Sequence, residues 1–142
     1  GNFAYTFKCD VTCEAPWAWE YPKSASYGPF DVEGTFTFNN ISDDNYYMLP
    51  TFTVTLSSSE DEFQLLNQTD NNKGCTFTGL SPNETLTIDS SRYLITSSTG
   101  LLRVGNMTGI LPRLVPGLNK LQVIGSVDNI TIDYQNARKV SG

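Results

Sequence analysis

The residues with most chemistry to offer are four aromatics, Trp17, Trp19, Tyr21 and Tyr27, and two acidic runs, Asp43-Asp44 and Glu60-Asp61-Glu62. Exposed rings stack on sugars, and loops held on a rigid scaffold often present them. Rings beside Pro16 and Pro22 equally suit packing against the domain or a neighbouring subunit. Both readings stand on the sequence. Glycoside hydrolysis needs two carboxylates a few ångströms apart, but both acidic runs fall among polar turn residues and read as solvated turn charge. Neither has the ordered oxygen spacing of a calcium loop. The chain has no His, which removes Ser-His-Asp and Cys-His nucleophile systems, histidine metal sites and the commonest general base. No enzyme, metal or cofactor is expected.

Cys9, Cys13 and Cys75 are an odd count without metal-knuckle spacing, and read as free thiols. Asn40, Asn67, Asn83, Asn106 and Asn129 each open an Asn-x-Ser/Thr triplet, which a chain rich in Asn, Ser and Thr produces by chance. Net charge is -6, and the nine basic residues are scattered apart from Arg138-Lys139. A nucleic-acid groove wants clustered Lys and Arg, so no nucleic-acid partner is expected. No apolar run approaches the ~18 residues of a membrane span, and none has the pattern of a signal peptide. The chain opens Gly1-Asn2-Phe3 without Met, which reads as a piece of a longer protein.

The elements that must position these residues read as strands. Phe3, Tyr5, Phe7, Cys9 and Val11 alternate with smaller or polar residues, the period-2 mark of a half-buried strand. Two prolines keep 14–22 off a central strand, and Gly28-Pro29 turns the chain. Further strands are expected around Phe36 and Phe38, over 47–56, 63–66, 75–77, 86–89, 93–96 and 101–104. Polar turns separate them at about ten-residue spacing. Leu65-Leu66 and Leu101-Leu102 break the alternation, as bulges or strands covered on both faces would. No 3.6-residue stripe is present. The pattern is all-β: an antiparallel sandwich or barrel, one domain over 1–142, long enough to bury roughly two-thirds of its unfolded surface.

The last stretch is the most structured. Pro116-Gly117 suits a type II turn. Leu121 and Val123 then alternate with Lys120 and Gln122, and Ile130, Ile132 and Tyr134 with Thr131 and Asp133, across a turn-rich 125–129. This reads as a hairpin with one buried and one wet face. The run Leu111-Pro112-Arg113-Leu114-Val115-Pro116-Gly117-Leu118-Asn119, then Gly125-Ser126-Val127 and Ile130 to Lys139, resembles the C-terminal end of distal tail proteins of siphoviruses, the long, flexible-tailed bacteriophages. Ala15-Pro16-Trp17-Ala18-Trp19, Asn40-Ile41-Ser42-Asp43, Pro50 to Thr55 and Leu86-Thr87-Ile88-Asp89 follow the family's order, so the resemblance spans nearly the whole chain.

The resemblance implies an antiparallel two-sheet β-sandwich of galectin-like or jelly-roll type, projecting outward from a hexameric ring built by an N-terminal domain absent here. The ring joins the tail tube to the baseplate or fibre that carries receptor binding. The partners implied are other tail and baseplate proteins, the place is the virion tail tip after synthesis in the host cytoplasm, and the isolated domain is expected to be monomeric. Galectins bind sugar through His, Asn, Arg and Trp, and this chain has no His. A second class of function is therefore a module contacting host cell-wall polysaccharide through Trp17, Trp19, Tyr21 and Tyr27.

Overall fold

A computed structural model describes residues 17–42, 47–57 and 62–139, with 17–19 and 137–139 described in their backbone alone. Apolar residues at every second position give each strand one face that must leave water. The strands are β1 (Trp17–Trp19), β2 (Lys23–Tyr27), β3 (Glu33–Asn40), β4 (Thr51–Leu56), β5 (Phe63–Asn67), β6 (Lys73–Phe77), β7 (Thr85–Asp89), β8 (Leu94–Ser97), β9 (Met107–Gly109), β10 (Gly117–Ile124), β11 (Val127–Tyr134) and β12 (Ala137–Lys139). β4, for example, alternates between half-buried Thr51, Thr53 and Thr55 and buried Phe52, Val54 and Leu56.

Two five-stranded antiparallel sheets result, in the orders β3-β10-β5-β6-β9 and β2-β11-β4-β7-β8, and β1 pairs separately with β12. The inward residues of both sheets form one hydrophobic cluster, with Phe52, Phe63, Phe77, Leu121 and Ile130 fully buried. The expected β-sandwich is present.

The expected hairpin over 117–134 is not. β10 and β11 do not pair with each other: β10 lies between β3 and β5, and β11 lies between β2 and β4. The chain passes from one sheet to the other at Gly125, whose φ of 120° is open to glycine and strained for other residues. The segment joining β2 to β3 makes the same passage alongside. Phe30 and Val127 exchange backbone hydrogen bonds of 2.8 and 2.9 Å, and the Gly125 N–H donates to Val32 O at 2.6 Å. Residues 23–40 and 117–134 therefore form one antiparallel ribbon bent across both sheets. Each arm has an apolar face, and folding the ribbon turns both faces onto a shared core.

Other differences are local. The strand expected over 47–56 begins only at Thr51, because Pro50 has no N–H for the ladder. Residues 101–104 are not a strand: Leu101 and Leu102 are exposed, and a short 3-10 turn follows over Val104–Asn106. Leu65-Leu66 marks no bulge, since the inward and outward alternation of β5 continues through it. Asn71 and Asn72 both sit at φ 58° in the turn before β6, a region Asn tolerates better than most residues. The strand expected over 3–11 lies outside the described residues.

Candidate functional site

Polar residues buried at one end of the sandwich position a concavity there. Asn119 starts this framework. Its Oδ1 accepts from the Val115 N–H at 2.8 Å and from Asn67 Nδ2 at 2.9 Å, and its Nδ2 lies 2.9 Å from both Val115 O and Gly117 O. Asn67 Nδ2 also donates to Arg113 O at 2.9 Å, and Asn40 Nδ2 to Val115 O at 3.3 Å. All three asparagines are buried, and a buried amide is stable only when its donors and acceptors are met. Together they hold the irregular 111–117 segment. The turn into β10 follows, with Gly117 at φ 89°, as the sequence predicts for Pro116-Gly117.

Segment 111–117 in turn holds the approach to β4. Met48 and Leu114 exchange backbone hydrogen bonds of 2.8 and 2.9 Å, and the Ser90 hydroxyl donates to Pro112 O at 2.7 Å. Arg113 pairs with Asp70, Nε to Oδ2 at 2.7 Å, and its guanidinium carbon lies 3.7 Å from the centre of the Tyr47 ring. The hydrogen bond to Asp70 outweighs partial desolvation and holds the Arg113 guanidinium above its ordinary pKa.

Between this approach and the end of β11 is a cleft of about 540 Å³. Tyr47, Met48, Leu49 and Pro50 line it from one side, and Asp133, Tyr134 and Gln135 from another, with Pro22 and Ser91 also at its edge. The Tyr134 ring is fixed by Phe38, edge to face at 4.8 Å. Asp133 accepts a hydrogen bond from the Ser24 hydroxyl, and Gln135 Nε2 donates to Glu20 O at 2.7 Å. Asp133 is the one carboxylate and no Lys or Arg is present among the described lining residues. Among the described residues no cluster of three or more His, Cys, Asp or Glu could hold a metal ion. No helix there is long and apolar enough to cross a membrane.

The four aromatics singled out in the sequence fall on β1, on β2 and on the segment between them. Trp17 and Trp19 lie in β1, whose backbone pairs with β12. Tyr21 is 89% exposed, just before Pro22 at the edge of the cleft. Tyr27 is half-buried at the far end of β2 and stacks on Phe36 at 4.3 Å. Burial, with Tyr134 adding to it, pushes its hydroxyl pKa up. Of the acidic runs, Glu62 is exposed, and Asp43, Asp44, Glu60 and Asp61 lie outside the described residues. Cys75 is free and buried, whereas Cys9 and Cys13 lie outside the described residues. Burial of Asn40 and Asn67 leaves no room for a glycan at two of the five triplets. Sequence reasoning missed Tyr47, Tyr134 and the Asp70–Arg113 pair. These residues are scattered along the chain, and their only signal was Arg113 within an otherwise apolar 111–118.

No curated protein matches the chain, and no solved structure matches it. Residues 17–134 match a family described as the phage tail C-terminal domain, and this covers both five-stranded sheets and the described cleft residues except Gln135. The chain belongs to the phage tail C-terminal domain family.

Proposed function

We propose that this β-sandwich is the outward domain of a distal tail protein of a siphovirus, a structural part of the hub that links the tail tube to the receptor-binding apparatus. Membership of the family makes the chain a phage tail component of the virion. What carries the finer reading is the family match over 17–134 on a sandwich whose C-terminal strands bear the distal-tail-like run 111–139. In this role the 142 residues act as one non-enzymatic domain. A separate N-terminal part of the protein forms the hexameric ring, and the domain itself is monomeric when isolated. Its contacts are with other tail and baseplate proteins, assembled in the cytoplasm of the bacterial host.

The test is immunogold electron microscopy of virions with antibodies raised against the domain. Gold confined to the tail tip supports the reading. Gold spaced along the tube or at the head–tail junction overturns it, and leaves the coarser assignment standing.

A second reading is contact with host cell-wall polysaccharide, favoured by the exposure of Tyr21 beside an open cleft. In the form that relies on Trp17, Trp19, Tyr21 and Tyr27 together it is weakened by Tyr27, whose ring is committed to Phe36.

A further inference from the structure

We infer that the cleft between Tyr47 and Tyr134 binds a neutral saccharide; this rests on the polysaccharide reading, moves its ring contacts to Tyr47 and Tyr134, and is independent of the tail-hub reading. A sugar has an apolar C–H face and a rim of hydroxyls, so its site needs an aromatic plane beside donors and acceptors. The cleft supplies Tyr47 and Tyr134 as planes, with Thr51, Ser91, Asp133 and Gln135 as polar groups around them. Its volume of about 540 Å³ falls within the roughly 300–1,000 Å³ of small-ligand pockets and suits a short oligosaccharide.

Charge narrows the class. Among the described residues no Lys or Arg lines the cleft, Asp133 does, and the whole chain carries -6. A phosphate, uronate or sialate would meet the Asp133 carboxylate, while the nearby Arg113 cation is already paired with Asp70. A neutral sugar meets no such penalty, and a carboxylate is a strong acceptor for its hydroxyls.

Tyr47 is also positioned in advance. The residue is 45% exposed, Arg113 packs 3.7 Å from its ring centre, and Asp70 fixes Arg113. A ring held from behind presents its remaining surface to the cleft without being ordered on binding, which spares part of the entropic cost of association.

The experiment is an NMR titration of the 142-residue chain with neutral hexose, deoxyhexose and N-acetylhexosamine oligosaccharides. At about 10 mM sugar, a site with a Kd of about 1 mM approaches saturation. The expected result is saturable shifts at the amides of 47–49, 51 and 133–135 with at least one neutral sugar, and none with sialylated or phosphorylated ones. Tyr47→Ala should weaken binding about tenfold, while Tyr47→Phe, which keeps the ring, should retain it. Should Tyr47→Ala disturb the spectrum of the free protein, Ser91→Tyr fills the cleft from its exposed rim and must block the shifts.

Flat titrations across the neutral panel overturn the inference. So do tighter binding of the anionic sugars, shifts centred on β1 and Tyr21, or binding indifferent to both the Tyr47→Ala and Ser91→Tyr changes. None of these outcomes bears on gold labelling at the tail tip, so the two readings fail separately.

Discussion

Replacing Arg103 with Met takes the cation away from a buried carboxylate and should cost this domain a large share of its stability. Glu84 is fully buried, and its Oε2 accepts from Arg103 Nε at 2.8 Å while its Oε1 accepts from Nη2 at 2.9 Å. The Ser81 N–H at 2.8 Å and the Ser97 hydroxyl at 2.5 Å complete the shell. Breaking a buried pair from one side costs about 3–5 kcal/mol. Two donors remain on the Glu84 carboxylate in Arg103→Met, which places the loss in the lower half, about 3–4 kcal/mol. For a domain of this size that lowers Tm by roughly 10 °C or more.

Urea melts of Arg103→Met, Glu84→Gln and the double variant measure the loss directly. The double variant removes both charges, and Gln keeps an acceptor for the Ser81 N–H, so it should recover most of the loss. Acid adds a second check. Burial pushes the Glu84 pKa up, but hydrogen bonds from Arg103, Ser81 and Ser97, with the Arg103 charge, outweigh it and hold the carboxyl below its ordinary value. A folded-state pKa below the unfolded one gives stability that is full above the unfolded value of about 4.3, and that is lost as pH falls through the folded value. In Arg103→Met the desolvation is opposed by less, so the carboxyl takes up a proton at higher pH. The deficit against the parent should therefore be smaller at about pH 4 than at about pH 7. A loss below about 1 kcal/mol, the scale of a surface pair, would refute the reasoning. So would a deficit that grows toward acid.

Three further outcomes are expected. Asn119→Asp keeps the shape but turns an oxygen toward Val115 O and Gly117 O, and should cost about 2–3 kcal/mol in a thermal or urea melt; a neutral effect would mean the segment is not held there. Gly74→Ala drives a Cβ into Leu65 O and to 2.8 Å from Leu66 Cα, and should cost about 2 kcal/mol or more. Gly105→Ala, where a Cβ meets nothing within 4 Å, serves as its control. Burial pushes the Cys75 thiol up to about 12, so in a Cys9→Ser, Cys13→Ser background a thiol reagent should react only as fast as the domain unfolds. Rapid labelling in native buffer would show that β6 is open to solvent.

Strand existence was legible because burial leaves a period-2 mark that local residues carry by themselves, as in Phe36, Phe38 and Phe52, Val54, Leu56. Pairing was not. Two alternating runs joined by Gly125-Ser126 satisfy the signature of a tight hairpin, and nothing local states that their apolar faces meet across a core rather than lie in one sheet. The Leu101-Leu102 pair misled for a related reason. Apolar type suggested a strand, whereas Arg103, anchored on Glu84, fixes the backbone and leaves both leucines outside. The candidate site was less legible still: Tyr134 ends an alternating strand, but Tyr47, Asp70 and Arg113 lie in segments with no periodicity.

Those segments explain why the cleft wall is as fixed as the strands around it. An irregular loop cannot satisfy its own backbone groups, so it must borrow partners from elsewhere. Here Asn40, at the end of β3, Asn67, at the end of β5, and Asn119, near the start of β10, supply them to 111–117 from adjacent strands of one sheet. That loop then lends Leu114 to Met48 and Arg113 to Tyr47. A change at Asn119 therefore reaches the Tyr47 ring through two linked contacts. The Glu84–Arg103 pair sits at the opposite end of β7 from Ser90, about six residues and roughly 20 Å away along the strand. It stabilises the sandwich without touching this chain of contacts. Stability of the fold and geometry of the cleft rest on different buried polar groups, and substitutions at the two should separate them.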